Sequence, residues 1–314
     1  CFEEVLKKNI MHKANSFEII SFYKFINLSN PKQLKYKLVN FLEVEKFKGT
    51  IIIANEGLNG TISCKIGNGE KFISFLEKTT NHKFEIKLHY HISHPFLRLK
   101  VKIKDEIIRL GKNNISPAIK TGTYVDAKKW DDLISDPEVI SIDTRNMYES
   151  EIGTFKNSLK SNTKNFTDFP KWFGKNKKLM KNKKIAMFCT GGVRCEKASA
   201  YLIKQGYNRV FQLNGGIISY LKETKNKNKK WTGECFVFDE RVTLDDNLTK
   251  GKYDQCYACG SAINDLDKKS PEFKMGVYCP KCKELTSNKQ KKGFEERKKQ
   301  IFLAKKRGLN HLGN

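Results

Sequence analysis

The strongest chemical signal in this chain is a cysteine set between a buried strand and a glycine loop closed by arginine: Ile185-Ala186-Met187-Phe188-Cys189-Thr190-Gly191-Gly192-Val193-Arg194-Cys195. Four apolar residues read as the strand. Ala198, Tyr201 and Leu202 then share one helical face, and Gly206 is placed as the stop. A thiol between the carboxyl end of a strand and the amino end of a helix lies where open α/β sheets bind ligands. The amides of Thr190, Gly191, Gly192 and Val193 are expected to form an anion-binding nest around it, and the helix dipole adds to their effect. Both favour thiolate over thiol, so Cys189 is expected to be nucleophilic near neutral pH, with Arg194 as its cation.

The six histidines (His12, His82, His89, His91, His94, His311) all lie outside Ile140 to Ile218, which argues against a Cys/His protease arrangement. Cys-x4-Arg also encloses a smaller ring than the Cys-x5-Arg loop of tyrosine-type phosphatases. A tight ring suits one extra sulfur atom, or attack on carbon, better than a tetrahedral oxyanion. The cluster resembles the active-site loop of rhodaneses. The rival reading is a structural cysteine beside a tight turn, but two glycines and a loop arginine have no packing purpose there.

These residues need a sheet to hold them. Val139 to Asp143 reads as a strand ending in Asp143-Thr144-Arg145-Asn146, and Val210 to Leu213 as another, followed by Asn214-Gly215-Gly216. The alternation with helical segments predicts a doubly wound parallel α/β sheet. If the strands are parallel, Asp143 and Arg145 share the sheet edge of Cys189 and are candidates to brace its loop; a surface salt bridge is the alternative. Upstream, Ser16 to Phe25, a helix opened by Asn30-Pro31, Gly49 to Ala54, a turn over Asn55 to Gly60, Thr61 to Ile66, a second helix and Phe84 to His89 give the order β-α-β-β-α-β. That order matches a ferredoxin-like sandwich. The alternating Leu97 to Lys104 reads as an amphipathic strand. His89, His91 and His94 are read as unliganded rather than as a metal site.

Downstream, Lys222 to Lys230 reads as a linker or exposed loop. Cys256-x2-Cys259 and Cys279-x2-Cys282 follow, and four thiolates at this spacing predict structural tetrahedral zinc rather than a disulfide pair. The site is closed, so no catalytic role is assigned to it. The basic stretch from Lys289 to Arg307 suits either an RNA backbone or a solvated, frayed helix.

Composition sets the outer limits. A 314-residue chain with 39% hydrophobic and 11% aromatic residues is globular. It shows no membrane-span-length apolar run and no signal-peptide pattern, and nine cysteines without an export signal suggest the cytosol. A formal charge of +26 points to a polyanionic partner, although a lysine-rich bias from an A/T-rich coding sequence gives the same number. Only eight of the 60 basic residues are arginine, which singles out Arg145 and Arg194 as positions where a planar fork matters.

Asn55 to Thr61, Asp143 to Asn146 with Ile152 to Phe155, Cys189 to Lys197, and Phe236 to Arg241 occur together and in order. On these stretches the chain resembles the bacterial rhodanese-domain tRNA uridine hydroxylase family, called TrhO or YceA, from about Phe17 to Cys282. The resemblance implies oxygen-dependent hydroxylation at carbon 5 of the wobble uridine of tRNA, with molecular oxygen as co-substrate and Cys189 as catalytic cysteine, thiolate or persulfide. The element order and linkers divide the chain into a ferredoxin-like domain over 1–115, a rhodanese domain over 120–228, and a zinc-binding region with a basic tail over 229–314. No flavin or NAD motif is present. A sulfurtransferase carrying sulfane sulfur on Cys189, and a non-catalytic RNA-binding protein, stay open as alternatives. The oligomeric state is not legible.

Overall fold

A computed structural model describes residues 16–224 and 230–308, so most of the predicted linker Lys222 to Lys230 lies outside the described residues. The first sheet is built from β1 (Phe17–Phe25), α1 (Pro31–Val44), β2 (Lys48–Ala54), β3 (Gly57–Lys65), α2 (Gly69–Thr80), β4 (Ile86–His91) and β5 (Leu99–Ile103). Strand order is β4-β1-β3-β2-β5, with the first four antiparallel and β5 parallel to β2 at the edge. This is the ferredoxin-like sandwich with one added strand. Asn30 accepts from the Gln33 amide at 3.0 Å, and Pro31 opens the helix, as the Asn-Pro pair predicts.

The sequence reads Asn55 to Gly60 as a turn, whereas the chain turns only at Asn55-Glu56 and β3 already starts at Gly57. The glycines serve close packing inside the sheet. A Cβ on Gly60 would stand 2.8 Å from the Phe22 ring, so only glycine lets β3 lie between β1 and β2 here.

The second sheet uses β6 (Thr123–Val125), α3 (Ala127–Leu133), β7 (Val139–Asp143), α4 (Met147–Ser150), β8 (Gly153–Phe155), β9 (Leu159–Lys160), α5 (Phe169–Lys175), α6 (Lys177–Met180), β10 (Lys184–Phe188), α7 (Val193–Lys204), β11 (Val210–Leu213) and α8 (Gly216–Thr224). Its five strands run β6-β11-β10-β7-β9, all parallel. β10 is central and buried on both faces. Ile185 and Met187 enter the core against Phe169, Phe173 and Leu202, while Ala186 and Phe188 enter the opposite core with Trp130, Phe155 and Tyr220. Cys189 continues the alternation and falls on the α7 side.

The remainder carries only short strands, β12 (Trp231–Gly233), β13 (Cys235–Phe236), β14 (Thr243–Leu244), β15 (Asp254–Gln255) and β16 (Ala262–Ile263), with α9 (Asp265–Lys269) and α10 (Asn288–Lys306). β12 pairs with β8, which ties this part to the parallel-sheet domain. Among the described residues no helix is long and apolar enough to cross a membrane.

Candidate active site and four-cysteine centre

Cys189 leaves the end of β10 and the chain turns back over its own sulfur. The Gly192 amide donates to Cys189 Sγ at 3.1 Å, and Gly192, at φ +102°, is the residue from which α7 starts. Burial opposes charge on this sulfur. A hydrogen bond from the Cys195 thiol, the Arg194 charge and the amides of Cys195 and Gly192 outweigh it, so Cys189 is held below the ordinary thiol range. Cys195 moves the other way, first because it is buried and then because it serves the Cys189 thiolate; its own sulfur lies 3.6 Å from Thr144 Oγ1. One of the two thiols is thus the anion and the other the proton donor.

A second helix closes the loop from the opposite side. The Ile217 amide donates to the Cys189 carbonyl at 2.9 Å and the Ile218 amide to the Thr190 carbonyl at 3.2 Å. A Cβ on Gly216 would come 2.6 Å from the Cys189 carbonyl oxygen and 2.7 Å from that of Thr190. Gly216 also sits at φ +69°, so glycine is required there on both counts. Thr190 Oγ1 is buried beside the nucleophile and has no partner among the described residues. Val193 packs outward against Phe25 and Ile107 of the ferredoxin-like domain.

Arg194 does not point free into the loop. Its guanidinium forks onto Glu149, Nη1 to Oε1 at 2.6 Å and Nη2 to Oε2 at 2.7 Å, and Glu149 Oε1 also takes the Asn146 amide at 3.2 Å. Both side chains are buried. Glu149 takes its role from meeting Arg194 across 45 positions of the chain. Asp143 and Arg145 form a closed fork of their own, with Arg145 Nε on Asp143 Oδ1 at 2.9 Å, Nη2 on Oδ2 at 2.6 Å and on the Gly153 carbonyl at 2.5 Å, and Thr154 Oγ1 on Asp143 Oδ2 at 2.9 Å. It is buried, not a surface pair, and it fastens the end of β7 to β8. Thr144 between them, not the fork, reaches the Cys189 segment, donating to the Phe188 carbonyl at 3.0 Å.

Glu149→Ala would leave a buried guanidinium unpaired, a change that costs about 3–5 kcal/mol in comparable settings. Urea unfolding is expected to show a loss of that order for Glu149→Ala; a shift below about 1 kcal/mol would mean that the pair contributes no more than a surface contact.

The ferredoxin-like domain covers the loop. Tyr23 Oη donates to Glu196 at 2.6 Å, Lys87 Nζ donates to the Gly191 carbonyl at 2.5 Å, and Lys197 pairs with Glu56 and, at 2.9 Å, with Glu106. Cys189 is consequently only 1% exposed. Burial raises the Glu196 carboxyl and, as the largest influence, lowers the Lys87 ammonium. None of Tyr23, Lys87 or Glu106 carries a local signal in the sequence, since each acts on a segment far along the chain, and Glu56 stands in the Asn55 to Thr61 stretch with nothing local to announce its partner Lys197.

The four cysteines come together as the spacing predicts. Sγ–Sγ distances are 4.0 Å for Cys256–Cys282, 3.8 Å for Cys259–Cys279 and 3.8 Å for Cys279–Cys282, and all four sulfurs lie within 4.8 Å of one another. A tetrahedral zinc–thiolate centre has sulfur edges of about 3.8 Å, whereas a disulfide needs about 2.05 Å. The donor set therefore fits a metal such as zinc. The histidines join no such group among the described residues: His94 Nδ1 meets Ser63 at 2.8 Å and His91 Nδ1 the Ser93 carbonyl at 3.0 Å.

Residues 17–107 match the UPF0176 acylphosphatase-like domain and residues 126–223 match the rhodanese-like domain. Among solved structures, wild-type EanB is 20% identical over 30% of this chain and 24% of its own, with a TM-score of 0.26, so this chain spans about a quarter of EanB. A rhodanese-related protein from Thermoplasma volcanium is 22% identical over 32% of this chain and 92% of its own, with a TM-score of 0.26. The As-Sb reductase from Leishmania major is 18% identical over 46% of this chain and 94% of its own, with a TM-score of 0.29. The rhodanese-like domain points to an enzyme of the sulfurtransferase kind. An acylphosphatase-like UPF0176 domain followed by a rhodanese-like domain is the architecture of the TrhO/YceA (UPF0176) proteins, and this chain shares it.

Proposed function

We propose that this protein hydroxylates carbon 5 of the wobble uridine of tRNA in the cytoplasm, with oxygen as co-substrate and Cys189 as nucleophile. The observation that supports the reading best is the Cys189 sulfur on the Gly192 amide, kept anionic beside Arg194 and Cys195. In this reading Sγ adds to carbon 6 of an unstacked uridine. The π pair moves to carbon 5 and O4 as an enolate, carbon 5 bonds to one atom of O2 as a hydroperoxide, and the two thiols cleave its O–O bond, leaving a hydroxyl on carbon 5 and releasing water and a disulfide. Loss of the carbon 5 proton and expulsion of the Cys189 thiolate restore the ring. Overall, uridine, O2 and two thiols RSH give 5-hydroxyuridine, water and RSSR. One oxygen atom thus oxidises the base, and the thiol pair reduces the other.

A thiol this covered meets a base only when a side chain of its cover swings away, so entry of the substrate requires a local displacement beside the loop. RNA contact is favoured by the net charge of +26 and by a cleft of about 720 Å³ between β5 and the four-cysteine region. There Phe238 and Tyr257 are 64% and 68% exposed, beside Arg98 and Lys100. Aromatic platforms next to cations hold splayed single-stranded bases.

Nucleoside mass spectrometry of tRNA from cells with and without the protein tests the reading. Disappearance of 5-hydroxyuridine supports it, and unchanged amounts overturn it. The adjacent Cys189–Cys195 pair favours sulfur transfer as the second reading, which thiosulfate-to-cyanide turnover at ordinary rhodanese rates would support.

A further inference from the structure

The Gly191–Gly192 peptide is held at both ends, each by a different domain. Its N–H donates to Cys189 Sγ at 3.1 Å, and its carbonyl accepts from Lys87 Nζ of β4 at 2.5 Å. In a planar trans peptide the carbonyl and the N–H point in opposite directions, so fixing one fixes the other. Glycine on both sides removes the steric barrier to turning that plane over. A Cβ at Gly191 would meet open space, so packing does not hold the peptide on that side either. Turned over, the peptide would aim its carbonyl at the sulfur and withdraw the amide, which favours thiol over thiolate.

We propose that Lys87 is a positioning residue that locks the Gly191–Gly192 peptide with its N–H on the Cys189 sulfur, so that docking of the ferredoxin-like domain arms the nucleophile. The lysine polarises the same amide through the peptide, which strengthens the bond to sulfur. Its surroundings hold it in place: the ammonium lies 5.3 Å from the centre of the Tyr23 ring, and Tyr23 is itself tied to Glu196. The charged and titratable groups around the sulfur are Arg194, Cys195 and Glu196 from α7, Tyr23 from β1 and Lys87 from β4. Glu149 and Tyr148 act behind Arg194, Glu85 stands beside Lys87, and Tyr124 of β6 is on Glu196. Of these, Lys87 alone acts on the peptide that carries the amide. The inference rests on reading Cys189 as a thiolate.

The test uses the full chain and follows iodoacetamide labelling of the Cys189 peptide against pH by mass spectrometry, alongside hydrogen exchange at the Gly192 amide. Lys87→Met is expected to raise the labelling midpoint by about one pH unit or more, the loss of one hydrogen bond to a charged acceptor, with about tenfold less labelling at acidic pH. Gly192 protection falls at the same time, and Lys87→Arg restores both. Should Lys87→Met not fold, Lys87→Gln stops short of Gly191 and is expected to show the same two changes. A wild-type midpoint near that of free cysteine, about 8.5, sinks the thiolate reading itself. A low wild-type midpoint that Lys87→Met leaves in place overturns this inference alone. A shifted midpoint with Gly192 still protected also overturns it, because Lys87 would then act only as a distant charge.

Discussion

Cys189→Ser is expected to remove 5-hydroxyuridine from cellular tRNA down to the level of cells lacking the protein, while the chain stays folded. The geometry separates the two effects. A serine hydroxyl fits the volume of the thiol and still accepts the Gly192 amide, so the loop keeps its shape and stability changes by about 1 kcal/mol, the usual size for such a substitution. The chemistry does not survive. The Gly192 and Cys195 amides, the Cys195 thiol and Arg194 together bring a thiol into the range where it ionises near neutral pH, but an alcohol starts many units higher and stays protonated in the same surroundings. Wild-type labelling at Cys189 is expected to persist on the acid side of the free-cysteine range, because a lowered thiol loses its charge only when pH falls through the lowered value. Cys195→Ala removes one hydrogen bond to the thiolate, so it is expected to move that labelling midpoint upward and to reduce hydroxyuridine without abolishing it. Normal hydroxyuridine from Cys189→Ser would leave the loop as a scaffold. Complete loss from Cys195→Ala would make the second thiol a partner in turnover and favour a persulfide on Cys189.

What the sequence makes legible follows from locality. β10, the cysteine after it and the start of α7 are neighbours in the chain, so strand periodicity, a glycine turn and a helix stop identify them together. The Asn30-Pro31 helix start and the two Cys-x2-Cys pairs are local in the same sense. The partners that tune the site are not. Glu149 becomes an anchor only because α4 brings it within reach of Arg194 on α7, Lys87 only because β4 brings it over Gly191, and Gly216 only because α8 begins against the Cys189 carbonyl. Chemistry alone also misassigns pairs that lie close in sequence. Asp143 and Arg145 suggest a brace for the cysteine loop, yet their side chains bind each other and Gly153, and the link to the loop runs through Thr144 and through Glu149 to Arg194. Glycines mislead in the same way: Gly57 and Gly60 read as turn residues when they serve the packing of β3.

Removing metal from the four-cysteine centre is expected to unfold the region around it and leave the parallel sheet intact. Among the described residues, the short strands β15 and β16 and a small apolar cluster of Ile263, Ala258, Phe273 and Tyr278 pack around the sulfurs. Such a segment buries too little apolar area to offset its chain entropy, so the metal–thiolate bonds have to supply the difference. In small zinc modules that contribution is about 10–16 kcal/mol, which makes the metal the condition for folding rather than an addition to it. The helix α10 depends on the same centre, because Arg297 Nη2 donates to the Tyr257 carbonyl at 2.6 Å and Lys274 pairs with Glu295. Chelation, or Cys279→Ser combined with Cys282→Ser, is therefore expected to release one metal ion per chain and to open residues 254–306 to protease at least about tenfold faster. The pH profile of Cys189 labelling should not move, since a closed four-thiolate site offers no open position to the chemistry. A metal-free chain that resists protease like the untreated protein would show that packing alone holds the four sulfurs together. A shifted Cys189 profile would instead mean that the two centres communicate.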